Sequence, residues 1–215
     1  MERMGTKERL RPWATALALA MCVGLLSASA QRGKPSEQSL LQALKSSYTL
    51  PVTYVEQPES SNWCWAAVGE TIMGYHGHDV SSERQVKDYS ASTKITKGPS
   101  VGNNTNNSSK IGGWPQFQDY GFHAKHTSKP LSYRDIVREI FLHQRPIAYA
   151  YSPKGRMGHI VSVIGFSRTR NGTPYLICYD SQIQGRKIRI PYSDYAKAFG
   201  YHKHLRTYHQ VYPKK

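Results

Sequence analysis

The apolar residues change their period at Pro146, and that change leaves few architectures open to the chain. Before it they recur at helical spacing, as in Ala67, Val68, Ile72 and Tyr75, and again in Ile136, Val137, Ile140 and Phe141. After it they fall into short β-rich segments at 147–151, 159–167, 175–179, 187–190 and 205–212, separated by Gly, Pro, Asn and Ser. Arg170-Asn171-Gly172-Thr173 reads as a hairpin turn between two of them. Helices first and strands afterwards predict an α+β fold, with a helical half packed on a C-terminal antiparallel sheet.

Within the helical half, 48–55 alternates enough for a brief strand. Ser60-Ser61-Asn62 offers caps for a helix over 63–75, which Gly77 stops. A second short helix is predicted over 81–89, a helix or turn over 114–122, and an amphipathic helix over 132–143. Residues 90–113 are Ser, Thr, Asn, Gly and Lys around Asn103-Asn104-Thr105-Asn106-Asn107, with Asn-x-Ser/Thr sequons. No core can be built from them, so an exposed loop is expected.

The first thirty residues read as an address. Arg3, Lys7, Arg9 and Arg11 precede an uncharged, mostly apolar stretch, which ends at Ala28-Ser29-Ala30. That is the pattern of a secretory signal peptide cut after Ala30. The apolar stretch is short for a membrane anchor, and Met21 before Cys22 fits a lipidation site poorly. The expected division is therefore a signal peptide over 1–30, a linker or short pro-segment over 31–50, and one domain over 51–215. Removing 1–30 takes away four of 29 basic and two of 14 acidic residues, leaving 25 against 12, a net +13. A charge of that size favours anionic partners such as an envelope polymer or an acidic protein. The basic residues are scattered and form no nucleic-acid motif, so no nucleic-acid partner is expected. With 39% hydrophobic residues, 15 tyrosines and four tryptophans, the chain can build a core and is no disordered polymer.

Chemistry concentrates in four residues. Cys64 stands at the first turn of its helix, where unpaired N–H groups and the helix dipole favour an anion such as a thiolate. The plainer reading, a small buried hydrophobe, is the commoner fate of a lone cysteine. His159 opens one strand and Asp180 closes the next. If the two strands pair as a hairpin, the residues become cross-strand neighbours, and the carboxylate can hold the imidazole by its second nitrogen. Singly, each is as readily a surface histidine or a turn cap; together they are not. Gln57, seven residues before Cys64, can donate its amide to a developing oxyanion beside the Cys64 backbone N–H, although a loop glutamine is usual.

At these residues the sequence resembles a known family. Gln57-Pro58-Glu59-Ser60-Ser61-Asn62-Trp63-Cys64-Trp65-Ala66-Ala67 is similar to the nucleophile segment of papain-like cysteine peptidases, closest to the bacterial group that includes the AvrRpt2 effector. Gly158-His159-Ile160-Val161-Ser162-Val163-Ile164-Gly165-Phe166 is similar to the histidine strand, and Tyr179-Asp180 to the acidic member. Ser181 departs from the proline of many relatives, and the Gln57–Cys64 spacing is about one residue long. The resemblance implies the papain-like fold and no cofactor. It implies peptide-bond hydrolysis through a thioester, with Cys64 as nucleophile, His159 as proton carrier, Asp180 as its orienter and Gln57 as oxyanion donor. A catalytic Cys64 cannot be tied into a disulfide, so Cys178 is expected as a reduced core residue.

Two other readings stay open at this point. One is a binding module for a polyanion or the envelope, without catalysis. The other keeps the triad and changes the reaction to acyl transfer or peptidoglycan amide cleavage. The remaining histidines carry no predicted chemistry. His76-Gly77-His78 reads as a solvated helix end and not as a metal cluster, His202, His204 and His209 as surface residues, and His123 and His126 as loop residues.

Overall fold

Seven antiparallel strands form one sheet among the described residues, which in this computed structural model are 36–44, 46–92, 111–153, 158–182, 187–197 and 203–215. The expected signal segment, the Asn-rich centre at 103–107 and His202 lie outside them. The chain runs α1 (Glu37–Ala43), β1 (Tyr48–Thr49), α2 (Cys64–Tyr75), α3 (Ser82–Ser92), a 3₁₀ turn (Phe117–Tyr120) and β2 (Phe122–Thr127). It continues through α4 (Tyr133–Val137), a wider helical turn (Arg138–Leu142), β3 (Ile147–Ser152), β4 (His159–Arg168), β5 (Pro174–Tyr179), β6 (Lys187–Pro191), α5 (Tyr192–Ala196) and β7 (Lys203–Pro213). The strand order is β2-β7-β3-β4-β5-β6, and β1 pairs with β4 beside that path. The α+β architecture expected from the sequence is the one observed.

Alternation in β3 shows how the sheet divides two cores. Ile147, Tyr149 and Tyr151 pack on one face with α1, α4 and Tyr195. Ala148 and Ala150 pack on the other with Trp65, Ala66, Val68, Ile72 and Met73 of α2. Small residues meet there from both sides, so α2 lies close to the strands. Gly165 serves a similar close approach: a Cβ on it would stand 2.4 Å from the Tyr48 carbonyl oxygen of β1.

Several local expectations are corrected. Asn62 is not the cap of α2: Trp63 holds that position without a side-chain cap bond, and the Ser61 hydroxyl accepts the Trp63 N–H at 3.4 Å. Of the strand predicted over 48–55, only Tyr48–Thr49 pairs. α3 reaches Ser92, beyond the predicted end at 89 and into the stretch read as loop. The predicted 132–143 helix begins as expected, with the Ser132 hydroxyl accepting the Asp135 N–H at 3.1 Å, then widens so that His143 N–H donates to the Arg138 carbonyl five residues back. His123 and His126 lie on β2, a strand paired with β7, and not in a loop. His204 is buried: its Nδ1 bonds the Ser128 carbonyl at 3.0 Å and its Nε2 the Thr207 hydroxyl at 2.9 Å. His76 is half-buried with its ring on Phe122, while His78 and Asp79 are exposed.

Candidate active site

Where β4 begins, three segments distant in sequence come together. Cys64 is the first residue of α2, and the N–H groups of a helix's first turn have no intrahelical carbonyl to bond. His159 is the first residue of β4 and is 9% exposed. Its Nε2 lies 2.8 Å from Asp180 Oδ1, and its ring also hydrogen-bonds the Cys64 side chain, which leaves Nδ1 as the nitrogen facing sulfur. The Tyr151 ring stands edge-on to the imidazole with centroids 5.7 Å apart.

A bulge explains why Asp180 meets His159. Near the turn, β4 and β5 pair Phe166 with Leu176 and Gly165 with Ile177; past Ile164 the register becomes Val163 with Cys178 and Ser162 with Tyr179. One more step sets Asp180 opposite Val161, two residues from His159 and on its face of the sheet. Without the extra residue, Asp180 would fall opposite Ser162 and point away. The two are diagonal neighbours, and not the direct cross-strand pair that counting inward from the turn predicts. Asp180 is held further by the Gln182 N–H on Oδ1 at 3.0 Å and by the Tyr54 hydroxyl on its carbonyl at 3.1 Å.

Burial pulls the His159 imidazole down, but the bonds and charges of Asp180 and Cys64 outweigh it and raise the pKa to about 9. Burial pushes the Asp180 carboxyl up, and the His159 bond and charge together with the Gln182 N–H hold it below the ordinary carboxylate value. Both directions describe an imidazolium paired with a carboxylate. Cys64 and Cys178 are free thiols. Cys178 is fully buried, and burial, aided by the Asp180 charge, pushes its thiol far above the ordinary value.

Gln57 is 6% exposed, and both ends of its amide are engaged. Nε2 donates to the Ser61 carbonyl at 2.8 Å, the Ser181 hydroxyl donates to Oε1 at 2.8 Å, and Gln57 N–H donates to the Ser181 carbonyl at 3.1 Å. A carboxamide has two N–H donors, and Nε2 also donates to the Ser61 hydroxyl, at the longer distance of 3.5 Å. Gln57 thus ties the segment before Cys64 to the residue after Asp180. Sequence reasoning missed this part for Ser61 and Ser181; the only signal was Ser181 itself, a departure from proline. Among the described residues, no group of three or more His, Cys, Asp or Glu side chains is placed to hold a metal ion.

Solved structures similar to this chain include three of low identity. A recombinant stem bromelain precursor is 16% identical, with 83% of this chain and 73% of that chain covered and a TM-score of 0.45. The bromelain protease from Ananas comosus in complex with the E64 inhibitor is 14% identical, with 79% and 98% covered and a TM-score of 0.45. A double glycine motif protease from an AMS/PCAT transporter, in complex with the leader peptide, is 14% identical, with 77% and 94% covered and a TM-score of 0.43. Comparison with curated proteins finds no match. The sequence pattern of the Peptidase_C39 like family matches residues 49–208, a span that holds Gln57, Cys64, His159 and Asp180. The chain belongs to the Peptidase_C39 like family.

Proposed function

We propose that the chain is an exported peptidase in which Cys64, His159 and Asp180 cleave peptide bonds through a thioester. The observation that carries this reading is one buried imidazole bonded to a thiol on one side and to a carboxylate on the other. Sulfur of the Cys64 thiolate attacks the scissile carbonyl, and the oxyanion forms beside the α2 N-terminus, with the Gln57 amide as a second donor in exchange for its long bond to the Ser61 hydroxyl. The His159 imidazolium gives its proton to the leaving amine as the C–N bond breaks. Neutral His159 then takes a proton from water, which attacks the thioester and releases the acid, restoring the Cys64 thiolate and the His159 imidazolium. Asp180 keeps Nδ1 turned to sulfur and stabilises the imidazolium. Placement beside the AvrRpt2-like peptidases rests on the Trp63-Cys64-Trp65-Ala66-Ala67 segment, and export on the first thirty residues.

A thiol-directed peptide probe applied to secreted protein tests this reading. Peptide mapping is expected to find the adduct on Cys64, with Cys178 modified only after denaturation, and intact mass to start at Gln31. An adduct on Cys178 in native protein, or labelling that leaves hydrolysis intact, would refute the assignment of the nucleophile; a retained 1–30 segment would refute export.

The pH profile follows from the same pair. Imidazolium is lost as pH rises through about 9, so kcat/KM is expected to fall there. Asp180→Asn removes the charge that raises His159, and the alkaline limb then moves down toward the free-histidine value of ~6.5. For stability, the raised histidine contributes fully below ~6.5 and the lowered aspartate fully above ~3.9. The stabilisation from the pair is therefore complete between those values and declines as pH rises through about 9. An alkaline limb that does not move in Asp180→Asn would exclude this coupling.

A further inference from the structure

On the α2 face of the sheet, a row of three residues leads away from the site. Ile160, next to His159, pairs with Ala150 of β3, and Ala150 pairs with Arg206 of β7. Directly paired residues share a face, so Arg206 projects from the same face as Ile160, two strands over, or roughly 10 Å. Ala150 and Ile160 are buried beneath α2, whereas Arg206, at the end of the row, is half-exposed. The Arg206 guanidinium lies over the Trp114 ring at 4.4 Å and near the Tyr208 ring at 5.8 Å, and its Nη1 donates to the Tyr208 hydroxyl at 3.1 Å. Trp114 is itself fixed against the nucleophile helix. The preceding Gly113 lies so close to Trp65, the neighbour of Cys64, that a Cβ would stand 2.9 Å from the indole. Arg206 takes part in none of the ion pairs among the described residues. The cation is thus held by two rings and one phenol, with further N–H donors and, among the described residues, no carboxylate of its own.

We infer that Arg206 is a specificity-determining residue that reads an acidic side chain of the peptide substrate close to the scissile bond. This deepens the peptidase reading and rests on it. A carboxylate meeting the guanidinium gains a charge-assisted, bidentate pair, and the stacked rings hold the planar fork in place beforehand. A glutamine at the same substrate position offers a single neutral oxygen. The substrate class is therefore a peptide carrying Glu or Asp beside its cleavage point.

The test compares peptide pairs that differ only in Glu or Gln, scanned through each position flanking the cleaved bond. At one position the wild-type protein is expected to favour Glu by about ten- to a hundredfold in kcat/KM. The preference should weaken as salt rises and vanish as the substrate carboxyl is protonated below ~4.3. Arg206→Gln should abolish the ratio, Arg206→Glu should turn it toward Lys at that position, and Arg206→Lys should restore part of it. Equal cleavage of Glu and Gln peptides at every position by the wild-type protein overturns the inference, and that outcome needs no variant to fold. Retention of the Glu preference by Arg206→Glu overturns it as well. Hydrolysis that survives Cys64→Ser would show a different failure, that of the peptidase reading itself.

Discussion

Cys64→Ser and His159→Ala are each expected to reduce peptide hydrolysis by roughly four to six orders of magnitude. A serine hydroxyl does not ionise beside an imidazolium, so the first variant lacks the attacking anion. The second lacks the group that protonates the leaving amine and activates water. Combining them should cost little more than either alone, because the residues act as one unit. Asp180→Asn should cost less, since Asp180 positions and stabilises without exchanging a proton with substrate. The single variants need separate stability controls. Cys64→Ser exchanges one atom of a partly exposed side chain and should unfold at nearly the wild-type temperature. His159→Ala leaves the Asp180 carboxylate, which is 5% exposed, without its imidazole, a loss of ~1–3 kcal/mol or more. Initial rates should therefore be taken at a temperature where circular dichroism shows both chains folded. Hydrolysis by either variant above one hundredth of the wild-type rate, under those conditions, contradicts the assigned roles.

Phe166→Ala is expected to produce the largest loss of stability, about 3–5 kcal/mol. Phe166 is fully buried and faces the Tyr48 and Tyr133 rings, each with centroids 6.3 Å away. Tyr48 belongs to β1 and Tyr133 to α4, so one ring joins two elements to the central strand. β1 has only two residues and faces Phe166 directly, which gives it few other anchors. Domains of this size shift by roughly 2–4 °C per kcal/mol, so the midpoint should drop by roughly 6–20 °C. Phe166→Leu keeps most of the volume and should recover much of the loss. A urea midpoint for Phe166→Ala within about 1 kcal/mol of wild type would show that the ring does not hold these elements together.

Much of this arrangement is legible in the order of the amino acids alone. β3, β4, β5 and β7 announce themselves by alternating or continuous apolar residues, and the Arg170–Thr173 turn marks the β4–β5 hairpin. The strand that escapes such reading, β2, is an edge strand with only Phe122 and Ala124 turned inward and His123, Lys125 and His126 elsewhere, so its pattern is that of a polar loop. His204 reads as a surface residue because the carbonyl that holds it, Ser128, is 76 residues away. The site is legible where chemistry is local: Cys64 at a helix start, His159 at a strand start, Asp180 at a strand end. The diagonal register is not, because Ile164 looks like any other apolar strand residue. Nor is the clasp of Gln57 by Ser61 and Ser181, since hydroxyls bond whatever the fold brings to them.

That extra residue at Ile164 governs where the hairpin can vary in length over evolutionary time. Outward from it, residues can be gained two at a time on each strand, or in any number within the turn around Asn171 and Gly172, and every inward-facing side chain keeps its direction. Between His159 and Ile164 a gain or loss of one residue exchanges the two faces of the sheet at the point where the acid must meet the histidine. The hairpin is therefore an arm free to grow at its tip and fixed at its shoulder, and descendants of this sequence can differ in reach without losing the alignment of Asp180 and His159.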